Sequence, residues 1–245
     1  MPTPFTHLAS AQRLIVDEQV PEDMRALLKR ELPAFLLGNI AADARISGNL
    51  NRESTHFFAY DRPIDTHPWR AMLDQHPTLR TPTTDAQRAF LAGYVAHLSM
   101  DELWSLEMVR PHFVGGSWGD RKLRFLMLHI ILIYMDERDY AALLDWQRPT
   151  LCAAAPDAWT PFMSDETLAE WRDFIGGQLP PGSSQTLEVF GGRIDVPAAV
   201  LRVILDDDIR IQSELWDHIP KSLLATVEDS MYAHARAQMV AFLGQ

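Results

Sequence analysis

From Asp85 to Val109 the chain reads DAQRAFLAGYVAHLSMDELWSLEMV, and its apolar residues return every three or four positions. Phe90, Tyr94 and Leu98 form one register; Leu91, Val95 and Leu106 form the next. That period belongs to an α-helix with a buried stripe and is incompatible with a strand, whose side chains alternate. Thr84 or Asp85 supplies an N-cap, and Pro111 predicts the end of the helix shortly after Val109.

The same spacing predicts helices over residues 5–17, 21–31 (with Pro21 in its first turn), 66–75 and 120–140, while 34–46 begins as a short helix and then loosens. Pro33 should end or kink the second of these. Residues 45–55 and GGSWGD (115–120) read as breaks, and 120–140 is apolar almost all round, which predicts a central helix. The segment 178–197 is rich in Pro, Gly and Ser. TLEVF and RIDV flank a Gly-Gly pair there and predict a small hairpin, followed by helices over 197–217 and 220–243. The expected fold is a single all-α domain over 1–245, a multi-helix bundle with an irregular Pro/Gly-rich excursion.

Such a bundle needs an apolar core, and with 47% apolar residues in 245 the chain can build one. The net charge of -11 argues against a stable nucleic-acid complex held by bulk electrostatics. One cysteine, Cys152, excludes an internal disulfide and a thiolate zinc cluster. The opening lacks the pattern of a secretory signal and no apolar run is long enough to span a bilayer, which predicts a cytoplasmic protein. A homodimer is left open.

Set in this apolar background, His97 and Asp101 lie four apart, on one face of the clearest helix. A packing pair would explain them if they stood alone. His7, Asp43 at the end of GNIAAD, and His56 at the start of HFFAYD also stand among apolar or small residues, where an unpaired charge is costly. Imidazole and carboxylate are ligands that Zn²⁺ accepts.

In order, MPTPFTHLASAQ, LLGNIAADAR, STHFFAYD and GYVAHLSMDELW resemble segments of the zinc-dependent phospholipase C family, which is related to the S1/P1-type nucleases. The resemblance covers residues 1–140, and its most specific piece is the Gly-Tyr-Val-x-His-x₃-Asp helix. It implies an all-α fold of that type holding one to three zinc ions, with Asp43, His56, His97 and Asp101 around one. Asp101 would bridge to a second that also takes His7. The family has a further His and a His-x₃-Glu. This chain has His112 and His129, but Ile133 stands at the Glu position, so a third site would combine His129 with Asp136 or Glu107.

The implied activity is hydrolysis of a phosphodiester or phosphomonoester, with Asp43 as ligand and proton acceptor, on a small phosphoester or a phospholipid. A metal-binding scaffold without catalysis is the alternative, favoured by Ile133 and opposed by the retained His7, Asp43, His56, His97 and Asp101. A di-iron carboxylate centre would need Glu-x-x-His pairs, which are absent. The remaining histidines, His67, His76, His218 and His234, read as surface or structural. Asp206 is spaced to pair with Arg210, and Trp104 either walls the pocket or packs between helices.

Overall fold

The computed structural model describes residues 2–245, and these form thirteen α-helices with no strand among them. They are α1 (Pro4–Leu14), α2 (Glu22–Arg30), α3 (Leu32–Ala41), α4 (Glu53–His56), α5 (Pro68–Gln75), α6 (Asp85–Leu103) and α7 (Arg121–Ala142). After them come α8 (Gln147–Cys152), α9 (Asp165–Gln178), α10 (Thr186–Ile194), α11 (Ala198–Leu205), α12 (Asp208–Ile211) and α13 (Lys221–Leu243). One cluster of buried apolar side chains extends from Phe5 to Leu243. No helix among the described residues is long and apolar enough to cross a membrane.

Helix α6 is the axis of the bundle. Thr84 caps it, its hydroxyl accepting from the Gln87 amide at 3.1 Å. Every residue from Ala89 to Glu102 is buried, because α3 and α13 pack along it and α5 adds a further contact. The α3 contact is unusually close. A Cβ on Gly38 would fall 2.0 Å from the Phe90 carbonyl oxygen, and one on Gly93 would fall 2.4 Å from that of Phe35. Each helix therefore leaves out a side chain where the other's backbone passes.

The role expected of residues 120–140 thus falls to α6, and α7 explains its all-round apolarity differently. Its Met127, Ile130 and Ile131 enter the core, while Phe125, Leu128 and Leu132 line a cavity beside it. The helix before Pro33 ends at Arg30, as expected, whereas Pro111 acts otherwise than expected. Pro33 sits in the first turn of α3, where its missing N–H costs nothing. Pro111 does not stop the chain from coiling: after Leu103 the helix widens into a π-helix, Trp104–Val114, with Pro111 inside it. Wider turns relieve the clash a proline ring makes with the carbonyl four residues back.

The expected hairpin is helix α10. Gly191 and Gly192 are both helical, and the chain turns instead at Asp195, which adopts a left-handed φ of 55°. Gly191 is needed for packing, since a Cβ there would meet the Val196 carbonyl oxygen at 2.5 Å. The helix expected over 197–217 is divided into α11, α12 and a π-helical turn, Gln212–Trp216. Asp207 makes the break by accepting from the Arg210 amide at 3.0 Å. Asp206 pairs with Arg202 rather than Arg210, which pairs with Glu214.

Candidate metal centre

Four elements meet around Asp101. Helix α1 brings His7; α6 brings His97 and Asp101; α4 ends at His56; and the 3₁₀ turn that continues α3, Ala42–Ile46, carries Asp43. The Gly38–Gly93 approach sets α3 against α6 so that the Asn39 carbonyl accepts from His97 Nδ1 at 2.8 Å. The Thr55 hydroxyl donates to the Arg52 carbonyl at 3.2 Å and so accepts from His56 Nδ1 at 2.9 Å. Tyr94 on α6 holds this short segment by donating to the Thr55 carbonyl at 2.7 Å. With its Nδ1 occupied as a donor, neutral His56 presents a bare Nε2 to the centre, and His97 directs its Nε2 there as well, free for a ligand once that nitrogen gives up its proton.

These atoms converge on carboxylate oxygens without hydrogen-bonding them. His97 Nε2 lies 3.2 Å and His56 Nε2 3.4 Å from Asp101 Oδ2. His7 Nε2 lies 3.6 Å from Asp101 Oδ1, and His56 Nε2 lies 3.5 Å from Asp43 Oδ1. The Nε2 atoms of His7, His56 and His97 and both oxygens of Asp101 are buried with no hydrogen-bond partner. Leaving that many polar atoms unsatisfied in one place is costly. A shared cation would remove the cost. Two ligands each about 2.0–2.2 Å from a tetrahedral ion lie about 3.3–3.6 Å apart, which matches the spacing here. Around Asp101 the ligand atoms fall into two groups, His7–His97–Asp101 and Asp43–His56–His97; a third group with ligand spacing, His67–Glu102–His234, lies apart from them.

Electrostatics suit a cation as well. Burial raises the carboxyl pKa of both aspartates, but the neighbouring histidines outweigh it and hold Asp43 and Asp101 below the usual range. Burial lowers His7, and lowers His56 to about 4 despite the opposing Asp43. At neutral pH these groups are carboxylates and free imidazoles, the forms a metal takes. His97 is the exception: burial would lower it, yet the Asp101 charge raises it.

Of the expected ligands, His129 stands apart. Its Nδ1 faces the Phe125 carbonyl at 2.8 Å, its ring packs edge-on to Phe125 and Phe190, and it lines the cavity. Asp136 accepts from the Thr186 hydroxyl, and Glu107 is exposed. No ligand group among the described residues includes His112, His129, Glu107 or Asp136. Trp104 is fully buried and does not line the cavity.

One polar cluster has no sequence signature. Glu102 follows Asp101 but faces the other side of α6, between His67 Nδ1 at 2.9 Å and His234 Nε2 at 3.2 Å. His67 and His234 are therefore tied to the core rather than loose on the surface. Unlike the atoms around Asp101, those of this trio satisfy one another.

Asp43 connects the centre to a cavity of about 530 Å³, and its side chain is the only one of the five that is not fully buried, at 13% exposed. Comparison of the chain with known protein families, with curated proteins and with solved structures returned no match.

Proposed function

We propose that the protein is a metal-dependent phosphoric ester hydrolase, phospholipase C-like in the arrangement of its ligands. The observation that carries this reading is the set of buried, unpartnered nitrogen and oxygen atoms around Asp101, opening through Asp43 onto a cavity that also holds arginines. Asp43, His56, His97 and Asp101 Oδ2 would hold one ion; Asp101 Oδ1 and His7 would hold a second. The imidazole and carboxylate donors suit Zn²⁺.

Such an ion supplies an acidified water near neutral pH and positive charge for the phosphoryl oxygens. The chain's own residues supply the rest. Asp43, ionised and open to the cavity, accepts the proton of the attacking water at its carboxylate. Arg45 and Arg110 also line the cavity and attract the anionic ester. Burial of His7, His97 and Asp101 excludes bulk water from the far side of the centre.

The test is elemental analysis of protein purified without added metal, together with assays on bis(p-nitrophenyl) phosphate and p-nitrophenyl phosphate. The expected result is one or more zinc ions per chain and hydrolysis that Asp43→Asn abolishes without loss of fold. Folded protein without metal would overturn the reading. Bound metal with no hydrolysis of either ester would leave a metal-binding scaffold.

A further inference from the structure

The cavity beside Asp43 has two chemically different ends. Its inner wall is built from single faces of three helices. Helix α7 contributes Phe125, Leu128 and Leu132; α9 contributes Phe174 and Ile175; α10 contributes Val189 and Phe190. Phe125, Leu128 and Leu132 recur at helical spacing on α7, and on α9 Trp171 precedes Phe174 and Ile175 by three and four, so these two helices each turn one apolar face toward the same space. Phe125 and Phe174 remain 53% and 40% exposed there. The metal-facing part is lined by Asp43 and Arg45 from the 3₁₀ turn and by Arg110 from the π-helix.

Charge is distributed just as unevenly. Arg45 and Arg110 line the cavity near Asp43, and the only other carboxylate in its lining is Asp136. Asp43 belongs to the metal centre, and Asp136 is buried and hydrogen-bonded to Thr186. Arg45 Nε and Arg110 Nε are buried with no hydrogen-bond partner. Arg110 also donates through Nη2 to the Ala59 and Arg62 carbonyls, which leaves its charge uncompensated, so in a chain of net charge -11 these two arginines suit an anion.

We propose that this cavity binds a single-chain anionic amphiphile, its charged phosphoester end beside Arg45 and Arg110 and its apolar body between α7, α9 and α10. The inference rests on the hydrolase reading and narrows it to monoanionic or dianionic phosphoesters of one apolar alcohol. The volume falls within the range of about 300–1,000 Å³ usual for small-molecule sites, which favours a dissolved molecule over a lipid drawn from a bilayer. Specificity would lie with Arg45 for the charge and with Val189 and Leu132 for the chain.

Titration calorimetry with octylphosphonate, which has no ester bond to cleave, tests this directly on the protein as purified and after metal removal. Methylphosphonate serves as the head alone and octyltrimethylammonium as the same chain with opposite charge. Octylphosphonate should bind at least about tenfold more tightly than either control. Arg45→Gln should weaken it about tenfold, and Val189→Trp should reduce it to the level of methylphosphonate. Arg45 is partly exposed, so Arg45→Gln remains informative if Val189→Trp fails to fold.

Equal binding of octylphosphonate and octyltrimethylammonium, or an unchanged Arg45→Gln variant, would overturn the proposal. So would faster hydrolysis of phosphatidylcholine vesicles than of octyl phosphate. Chain-dependent octylphosphonate binding to metal-free protein, with no hydrolysis under any condition, would retain the cavity assignment and remove the hydrolase reading. Hydrolysis of small diesters without chain preference would do the reverse.

Discussion

His7 and His97 stack face to face, ring centroids 3.8 Å apart and planes 15° apart, with their Nε2 atoms directed at opposite oxygens of Asp101. Two imidazolium cations would repel in that position, so at least one ring is neutral, and the shared carboxylate is available to two ions. His97 is the member common to both candidate ligand groups around Asp101. His97→Ala should therefore lower bound metal by more than tenfold while the far-UV circular dichroism keeps its helical form. Unchanged metal content in this variant would show that the ions, if any, bind elsewhere.

Metal binding should release protons. Asp101 raises the His97 pKa above its ordinary 6.5, so at pH 6.5 this imidazole is mostly protonated in the metal-free protein. A ligand nitrogen must be free, so ion uptake expels that proton, and the release fades as pH rises past the His97 value. Calorimetric titrations with Zn²⁺ in two buffers of different ionisation enthalpy measure the number released. The same apparent enthalpy in both buffers at pH 6.5 would contradict it.

Chelation should destabilise the fold. An ion that binds only the native state contributes about 2.7 kcal/mol at a hundredfold excess over its Kd. For a chain of this size that corresponds to a Tm lower by roughly 5–10 °C after metal removal. Scanning calorimetry with and without a chelator, followed by zinc add-back, reads it out.

Gly93→Ala should disturb fold and centre together. The new methyl would stand 2.4 Å from the Phe35 carbonyl oxygen and 2.8 Å from Asn39, forcing α3 away from α6. The expected loss is about 3 kcal/mol in urea unfolding. Metal affinity should also fall, because the Asn39 carbonyl that orients His97 travels with α3. A stability loss with unaltered metal affinity would show that the helix contact and the centre are independent.

Asp136→Asn should stabilise the metal-free protein above neutrality. Burial lifts this carboxyl to about 6, the Thr186 hydrogen bond offsetting only part of the effect. Because the folded value lies above the unfolded one, the native state holds the extra proton between about pH 4 and 6. The acid's contribution is present below about pH 4 and is lost as pH rises through about 6. Asparagine keeps an acceptor for Thr186 and has no proton to lose. Its advantage should be near zero at pH 4 and reach about 1–3 kcal/mol by pH 7.5. Urea unfolding at the two pH values measures it.

The sequence by itself determined what depends on neighbours along the chain. Helical periodicity and the Thr84 cap located α6, and spacing in the first half located α1, α2, α5 and α7 to within a few residues. His97 and Asp101 were legible as a pair because an i, i+4 relation survives any tertiary arrangement. His7, Asp43 and His56 could be named from apolar surroundings and a resemblance, and the fold brings them to one point.

Only the tertiary structure decided the rest. Gly-Gly at 191–192 is compatible with a turn or a helix, and packing against Val196 selected the helix. Apolar residues all round α7 carry no mark separating a core face from a cavity face; that depended on where α9 and α10 came to lie. The Glu102 trio and the arginine-lined cavity unite residues far apart in sequence, and long-range contacts leave no periodic trace. Backbone periodicity is a local property and can be read in one dimension, whereas a site is an intersection of several elements and exists only once they have packed.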